Sequence, residues 1–415
     1  MEKLKDMSEE KRSNIYFVII ELIFICISLS FIFIVKDSLL LGSLKKFNND
    51  DVKYIRSAWN LIDSKMLSYE NIKEPTVYIM PGLTFVLSFF MIVFGKVNGI
   101  FAFKIFQVVL QAASLYLLFL IGKKVFNSRA ALAACLMDAL YGAELYASNA
   151  ILMEATFKFL LLALVYISIC AAQKKSLKLY AFGGIVLAAA CLYRPTIAAY
   201  PILILIMWIK KKYSFKEMLK YSATVTAVFC IVMAPWWIRN YKDFSMFIPF
   251  TKSAGNPFLQ GTFINYDQSA GLGVPHIAGG NSLESNHNEI NEGLQRLKIY
   301  GKREPLKYII WYTLGKTFYF WRAPFYWVNN MSYIPVIAYH YIILLYAVKS
   351  LIKYRNKNMN FVFLIMVVVY FNIVYSIYFT FERYSYPLMP LIILFAAYAA
   401  SDKASTRKFS LGMLK

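Results

Sequence analysis

The stretch IYFVIIELIFICISLSFIFIVKDSLLL at residues 15–41 is largely apolar, and NNDDVKY follows it at residues 48–54. About 20 apolar residues suffice for a helix to cross the roughly 30 Å hydrocarbon core of a bilayer. We therefore predict that residues 15–41 span a membrane. Beyond them, Asp50 and Asp51 place two mutually repelling carboxylates side by side. Such a pair is typical of either a solvated loop or a site that needs negative charge.

The composition extends this prediction to the whole chain. Hydrophobic residues make up 59% of the 415 residues and charged residues only 16%, whereas soluble domains average about 25% charged. We predict an all-α integral membrane protein. The net charge of +22 does not indicate nucleic-acid binding, because Lys and Arg form short clusters between apolar runs. A basic face with interleaved aromatic residues, which nucleic-acid binding would require, is missing from the sequence.

The basic clusters predict the orientation, since cytoplasmic loops carry an excess of Lys and Arg. The first cluster lies within residues 3–12 and the last within 403–408. Placing every cluster in the cytoplasm puts both termini there and makes the chain a multi-pass cell-membrane protein. It also gives about ten transmembrane helices, at residues 15–41, 100–121, 130–147, 153–172, 179–193, 195–209, 219–237, 333–352, 359–379 and 386–401.

The apolar segment TVYIMPGLTFVLSFFMIVFGK at residues 76–96 is excluded from these spans. If it crossed the membrane, the basic clusters that follow would move outside. We predict a re-entrant or interfacial juxtamembrane helix that is broken near Pro81 and Gly82. By hydropathy alone, an ordinary span remains the alternative.

This topology divides the chain into three regions. Residues 1–237 form an N-terminal transmembrane module, which includes a first exterior loop at 42–99. Residues 238–332 form a long exterior loop region, and residues 333–415 form the last spans and a cytoplasmic tail. There is no inverted pair of broken helices, the pattern that is typical of secondary transporters.

Several charged residues fall on the predicted exterior side. Because Lys and Arg favour cytoplasmic loops, arginines on the exterior side are unusual, and we expect them to have partners there. The alternative is that they extend to lipid headgroups. The charged residues in question are Asp50, Asp51, Glu154, Arg194, Arg239 and Arg383.

Carboxylates and arginines at a membrane surface suit one class of substrate, a sugar carried on a polyprenyl phosphate. Arginine binds phosphate with a bidentate fork. A carboxylate can remove the proton of an acceptor hydroxyl or amine as it attacks the anomeric carbon. A divalent cation between carboxylates and phosphate would soften the repulsion within Asp50-Asp51.

Several short motifs follow one another in a recognisable order. They are DDVKYIRSA at 50–58, EPTVYIMPG at 74–82, LMEATFKFLL at 152–161, APWWIRNYKDF at 234–244 and RYSYPLMPL at 383–391. In order and spacing, residues 15–401 resemble the GT-C superfamily of integral membrane glycosyltransferases. The nearest likenesses are protein O-mannosyltransferases and the aminoarabinose transferase that modifies lipid A.

The resemblance implies roles for the acids. Asp50, four residues before Tyr54, corresponds to the proposed general base of the family, and Asp51 would tune its charge or contact a metal. Glu154 corresponds to the second acid of the catalytic site. A tentative Mg²⁺ or Mn²⁺ site would use Asp50 and Glu154. The family also implies that the apolar segment of the first loop is a juxtamembrane helix.

The resemblance also implies that exterior basic residues bind the donor phosphate. Our candidates, in order, are Arg239, Arg194 and Arg383, and Lys104 occupies a position that is often basic in relatives. We expect acceptor recognition to involve residues 238–332, because the chain ends soon after the last predicted span.

The function predicted from these residues is the inverting transfer of one sugar from a polyprenyl-phosphate donor to an exported protein, lipid or polysaccharide. Two alternatives stay open. One is a ligase or polymerase that moves whole glycans from a lipid diphosphate, which would not need the acid pair of the first loop. The other is a transporter or flippase of lipid-linked sugars, whose polar groups should line a path at mid-membrane.

Overall fold

A computed structural model describes residues 8–269, 274–328, 331–354 and 358–412, with side chains up to residue 401. The basic cluster predicted at 403–408 and part of that at 3–12 therefore lie outside the described side chains. All regular structure in these ranges is helical. The helices are α1 Glu9–Val35, α2 Asp50–Ser64, α3 Gly82–Phe94, α4 Asn98–Val125, α5 Ser128–Ala139, α6 Gly142–Asn149, α7 Glu154–Lys174, α8 Leu177–Cys191, α9 Pro201–Lys210, α10 Phe215–Phe244, α11 Gly255–Gly261, α12 Ser282–Arg296, α13 Pro305–Ile310, α14 Lys316–Trp321, α15 Tyr333–Tyr354, α16 Met359–Ile377 and α17 Met389–Gly412.

In the described residues, seven helices are long and apolar enough to cross a membrane, or up to eight if a bent pair counts as one span. The bent pair is α5 with α6, whose axes differ by 57°. The chain is thus a multi-pass membrane protein, but the predicted number of ten spans is not confirmed. The segments predicted at 179–193 and 195–209 form shorter apolar helices, Leu177–Cys191 and Pro195–Lys210.

Several predicted boundaries differ from the structure, and two of these differences have a local cause. The first helix ends at Val35, before the predicted residue 41, because Lys36 has a φ of 48° that no α-helix accommodates. Helix α10 continues past the predicted residue 237 to Phe244. Its last turns are polar, and Arg239 and Asp243, paired at 2.8 Å with i,i+4 spacing, stabilise them.

The first loop carries an apolar helix within the segment predicted at residues 76–96, but this helix begins at Gly82, where the prediction placed a break. Helix α3 has 13 residues, so it is about 20 Å long, too short for a roughly 30 Å hydrocarbon core. Gly82 is required there because its N–H donates to the carbonyl of Leu192 at 2.8 Å, and a Cβ would lie 2.6 Å from that oxygen. This close approach joins the first loop to the end of α8.

The region after α10 covers the same end of the helix bundle. The N–H of Lys252 donates to the first-loop carbonyl of Val77 at 2.9 Å, and the N–H of Phe379, after α16, donates to the carbonyl of Pro257 at 2.6 Å. The first loop, α11 and the chain between α16 and α17 therefore meet. This end of the bundle carries the candidate site.

Candidate active site

Four of the residues predicted from the sequence come together at this end of the bundle: Asp50, Glu154, Arg194 and Arg383. Asp50 is the first residue of α2 and Glu154 the first of α7. Arg194 follows α8, and Arg383 lies in the short helical turn that precedes α17. The bundle thus assembles the cluster from four segments that are far apart in sequence.

Arg383 joins the two acids. Its Nη1 donates to Asp50 Oδ2 at 3.0 Å, and its Nε donates to Glu154 Oε1. Arg194 Nη2 also donates to Glu154 Oε1. The two carboxylates and two guanidiniums balance in charge, as burial requires.

The members of the cluster differ in exposure. The Glu154 side chain is 1% exposed and the two arginines 7% and 8%, but Asp50 is 47% exposed. Asp50 is therefore the member of the cluster that an incoming molecule can reach directly. Glu154 has a second carboxylate oxygen, Oε2, that is buried and has no hydrogen-bond partner among the described residues.

The surroundings of Asp50 keep it ionised. Burial alone would raise the pKa of its carboxyl, but the charge and hydrogen bond of Arg383 and the hydroxyl of Tyr69 outweigh burial and lower it. Tyr69 donates to Asp50 Oδ1 at 2.9 Å. Asp50 is therefore a carboxylate at neutral pH, the form that can accept a proton.

Sequence reasoning missed the tyrosines around the cluster. Besides Tyr69, the hydroxyl of Tyr375 accepts a hydrogen bond from Arg194 Nη1 at 3.0 Å. The Arg194 guanidinium also lies 4.9 Å from the ring centroid of Tyr384. With Tyr making up 31 of the 415 residues, no pattern in the sequence singled these three out.

Asp51 lies outside the cluster although it is adjacent to Asp50. Its side chain is buried, and its carboxylate accepts hydrogen bonds from the backbone N–H groups of Leu41, Gly42 and Val52 at 2.6, 3.2 and 2.8 Å. Burial raises its pKa, and these N–H groups oppose the shift. Asp51 thus closes the turn that leads from α1 to α2.

Arg239 and Lys104 are committed to other partners. Arg239 donates to the first-loop carbonyls of Thr76 and Leu67 at 2.7 and 3.3 Å. Lys104 is buried and donates to the carbonyl of Lys36 at 2.5 Å and to Asp37 at 2.9 Å. Both cations therefore fasten the ends of loops in this structure.

The arrangement does not fit a divalent cation held by Asp50 and Glu154. Arg383 already bonds to both carboxylates, and its positive charge would repel a second cation there. Within the described residues, no three His, Cys, Asp or Glu side chains gather in a way that could hold a metal.

A second buried network lies beside the cluster and ties two of the same segments. Glu144 accepts from Lys158, which is one turn after Glu154 on α7, and from the hydroxyl of Tyr386 at 2.9 Å. Tyr386 stands three residues after Arg383, and its hydroxyl accepts from Gln111 at 2.6 Å. This network fixes the start of α7 relative to the segment that carries Arg383.

Comparisons with known proteins show a resemblance of part of the chain to membrane glycosyltransferases. Residues 73–238 match the family model for dolichyl-phosphate-mannose-protein mannosyltransferase. No curated protein matches the chain by sequence. The family match confirms the predicted resemblance. The predicted all-helical GT-C-like membrane fold is confirmed by the helices described above and by similar solved structures.

Solved structures support the same fold. The archaeal oligosaccharyltransferase AglB from Archaeoglobus fulgidus, in complex with an inhibitory peptide and a dolichol-phosphate, matches with a TM-score of 0.58 at 13% identity over 96% of this chain. The apo oligosaccharyltransferase of that organism matches with a TM-score of 0.56 at 12% identity over 96% of this chain. The chain spans 51% and 52% of these two proteins, about half their length.

A third similar structure is ArnT from Cupriavidus metallidurans bound to undecaprenyl phosphate. It is 12% identical over 92% of this chain and 78% of its own. Its TM-score of 0.46 is below the level at which a shared fold follows.

Replacing Asp51 should destabilise the protein. Asp51→Ala leaves buried N–H groups without an acceptor, at a cost of about 1–3 kcal/mol. The thermal unfolding midpoint of the purified protein should fall, and Asp51→Asn, which keeps one acceptor oxygen, should lower it less. Asp63→Ala is the control, since Asp63 is on the same helix and 60% exposed. Equal midpoints for Asp51→Ala and Asp63→Ala would contradict this role.

Proposed function

We propose that the protein is a membrane glycosyltransferase that moves one sugar from a polyprenyl-phosphate donor to an acceptor with inversion at the anomeric carbon. The observation that carries this proposal is the half-exposed, ionised Asp50 beside two buried guanidiniums. The match of residues 73–238 to a mannosyltransferase family model supports the reaction class. The dolichol-phosphate in the AglB complex, which shares this fold, supports the lipid-phosphate donor.

In the proposed step, the acceptor heteroatom attacks the anomeric carbon from the face opposite the phosphate. The bond between that carbon and the phosphate oxygen breaks, and its electron pair leaves with the polyprenyl phosphate. Asp50 takes the proton of the acceptor, which becomes more acidic as the new bond forms. An exported protein, a lipid or a polysaccharide would each supply a suitable acceptor group.

We assign the binding of the donor phosphate to Arg383 and Arg194. A phosphate that approaches Arg383 competes with Asp50 for its guanidinium, which frees a carboxylate oxygen for the acceptor. The unpartnered Oε2 of Glu154 would accept a hydrogen bond from a sugar hydroxyl. The two guanidiniums then supply positive charge for which a metal ion would otherwise be needed.

We also propose the orientation, with the cluster on the exterior face and both termini in the cytoplasm. This follows from placing the basic loops inside. The charged cluster lies at one end of the bundle, where the helices α2 and α7 begin, which suits surface chemistry better than a path for transport through mid-membrane.

The proposal is tested most directly with Asp50→Asn. Loss of the general base should slow transfer by about 10²–10⁴-fold. Mass spectrometry of cells with this variant should show accumulated polyprenyl-phosphate sugar and one sugar missing from exported glycans, and Asp63→Asn should leave both unchanged. Intact transfer by Asp50→Asn would favour the ligase alternative. Lipid-linked sugar that crosses vesicles containing the purified protein without forming product would favour a transporter.

The pH profile tests the link between Asp50 and Arg383. Since Arg383 helps to lower the pKa of Asp50, kcat/KM should fall only below the ordinary carboxyl range of about pH 4. In Arg383→Gln the stabilisation of the carboxylate is lost and burial remains, so the acid limb should move to higher pH. Lys96→Gln, on the exposed end of the first loop, should leave the limb in place. An unmoved limb in Arg383→Gln would show that another group sets it.

Chelation tests the assignment of positive charge to the guanidiniums. Transfer by the purified protein should be unchanged after exhaustive treatment with EDTA, because Arg383 and Arg194 neutralise the site. Loss of transfer that Mg²⁺ or Mn²⁺ restores would instead support a cation at Asp50 and Glu154.

A further inference from the structure

A separate cavity of about 280 Å³ opens between α7, α8, α9 and α10, close to the roughly 300 Å³ at which ligand pockets begin. On α7 it extends from Leu164 to Ala171, ten to seventeen residues beyond Glu154. At 1.5 Å per residue it lies about 15–25 Å along the helix from the cluster. The side chains that line it are mostly apolar, and they include Leu164, Ile167, Leu187, Ile204, Leu205 and Val225.

Two neighbouring glycines of α8 differ in whether close helix packing requires them. A Cβ on Gly184 would lie 2.9 Å from the carbonyl oxygen of Val225, so Gly184 is needed for the close contact of α8 with α10. A Cβ on Gly183 would meet only Ile167, at 3.6 Å. Gly183 lines the cavity, and its missing side chain helps to keep the cavity open.

A cluster of aromatic residues closes the end of the cavity that faces away from Glu154. The indole N–H of Trp208 donates to the hydroxyl of Tyr180 at 2.6 Å, and both residues line the cavity. The hydroxyl of Tyr213 donates to the carbonyl of Ala172 at 3.0 Å. Hydrogen-bonded Trp and Tyr side chains are enriched at the boundary between hydrocarbon and headgroups.

A lysine, Lys211, lies just beyond these aromatic residues. Lys211 is the residue directly after the end of α9, three residues beyond the cavity residue Trp208. It is partly buried, and burial lowers its pKa. Among the described side chains no acid pairs with it, since the nearby Glu217 is bonded to Lys175 at 2.8 Å.

We propose that this cavity binds one acyl chain of an anionic membrane phospholipid whose phosphate contacts Lys211. The cavity is apolar and lies in a membrane protein, so a hydrocarbon chain fills it better than water. Lys211, which has no acidic partner among the described side chains, would select an anionic lipid over a zwitterionic one. The site is distinct from the cluster around Glu154 and does not depend on the proposed sugar transfer.

Native mass spectrometry tests this proposal on the full-length protein. The protein is reconstituted into bilayers with equal amounts of phosphatidylglycerol and phosphatidylcholine that carry the same acyl chains, and then extracted. One phosphatidylglycerol should be retained per chain. Gly183→Leu, whose side chain fills the cavity, should lose it. Gly301→Leu is the matched control, because a Cβ there meets nothing within 4 Å, and it should retain the lipid.

The headgroup contact is tested separately by a substitution outside the packed core. Lys211→Gln should reduce retention of phosphatidylglycerol several-fold, whereas Lys212→Gln, which alters an adjacent exposed lysine, should not. If Gly183→Leu does not fold, Lys211→Gln still tests whether the lipid binds at this site. Equal retention of both lipids, retention that survives Gly183→Leu, or displacement of the lipid by added polyprenyl phosphate would each overturn the proposal.

Discussion

The buried carboxylate of Glu154 is the interaction on which the site depends. A charged side chain that is 1% exposed is costly unless it is paired and hydrogen-bonded. Two arginines from different segments satisfy it, and one of these also bonds to Asp50. The need to compensate one buried charge thus fixes four segments relative to one another. Removing Glu154 would leave two buried guanidiniums without this carboxylate, at a cost of about 3–5 kcal/mol.

The same requirement explains the second network. Lys158 and Glu144 are both almost fully buried, at 0% and 1% exposure, and Tyr386 adds a hydrogen bond. Because Lys158 shares a helix with Glu154, and Tyr386 shares a segment with Arg383, the two networks reinforce each other. The geometry of the candidate site is therefore held by polar groups inside a largely apolar bundle.

Polar groups at the two ends of α7 serve different purposes. At its start, charges are balanced within the protein, and Asp50 alone of the four clustered residues is half exposed. Near its other end the aromatic cluster closes an apolar cavity, and Lys211, which follows α9, has no acidic partner among the described side chains. A cluster with balanced charges suits chemistry on a charged donor, because the donor phosphate can replace a carboxylate as the partner of an arginine. An unbalanced cation beside hydrocarbon suits a lipid.

The sequence by itself determined the membrane class and the helical architecture, and it predicted the charged residues that gather in the candidate site. Apolar runs and basic clusters depend only on the energetics of transfer into lipid, which are local properties of a segment. Only the tertiary structure decided which of these charged side chains bond to one another. Asp50 and Arg383 are 333 residues apart, and Asp51, adjacent in sequence, turns to backbone N–H groups instead. Arg239 and Lys104 have the charge to bind phosphate, but neighbouring carbonyls occupy them. No local pattern separates these outcomes, because they depend on which buried acceptors the folded bundle brings within hydrogen-bond reach.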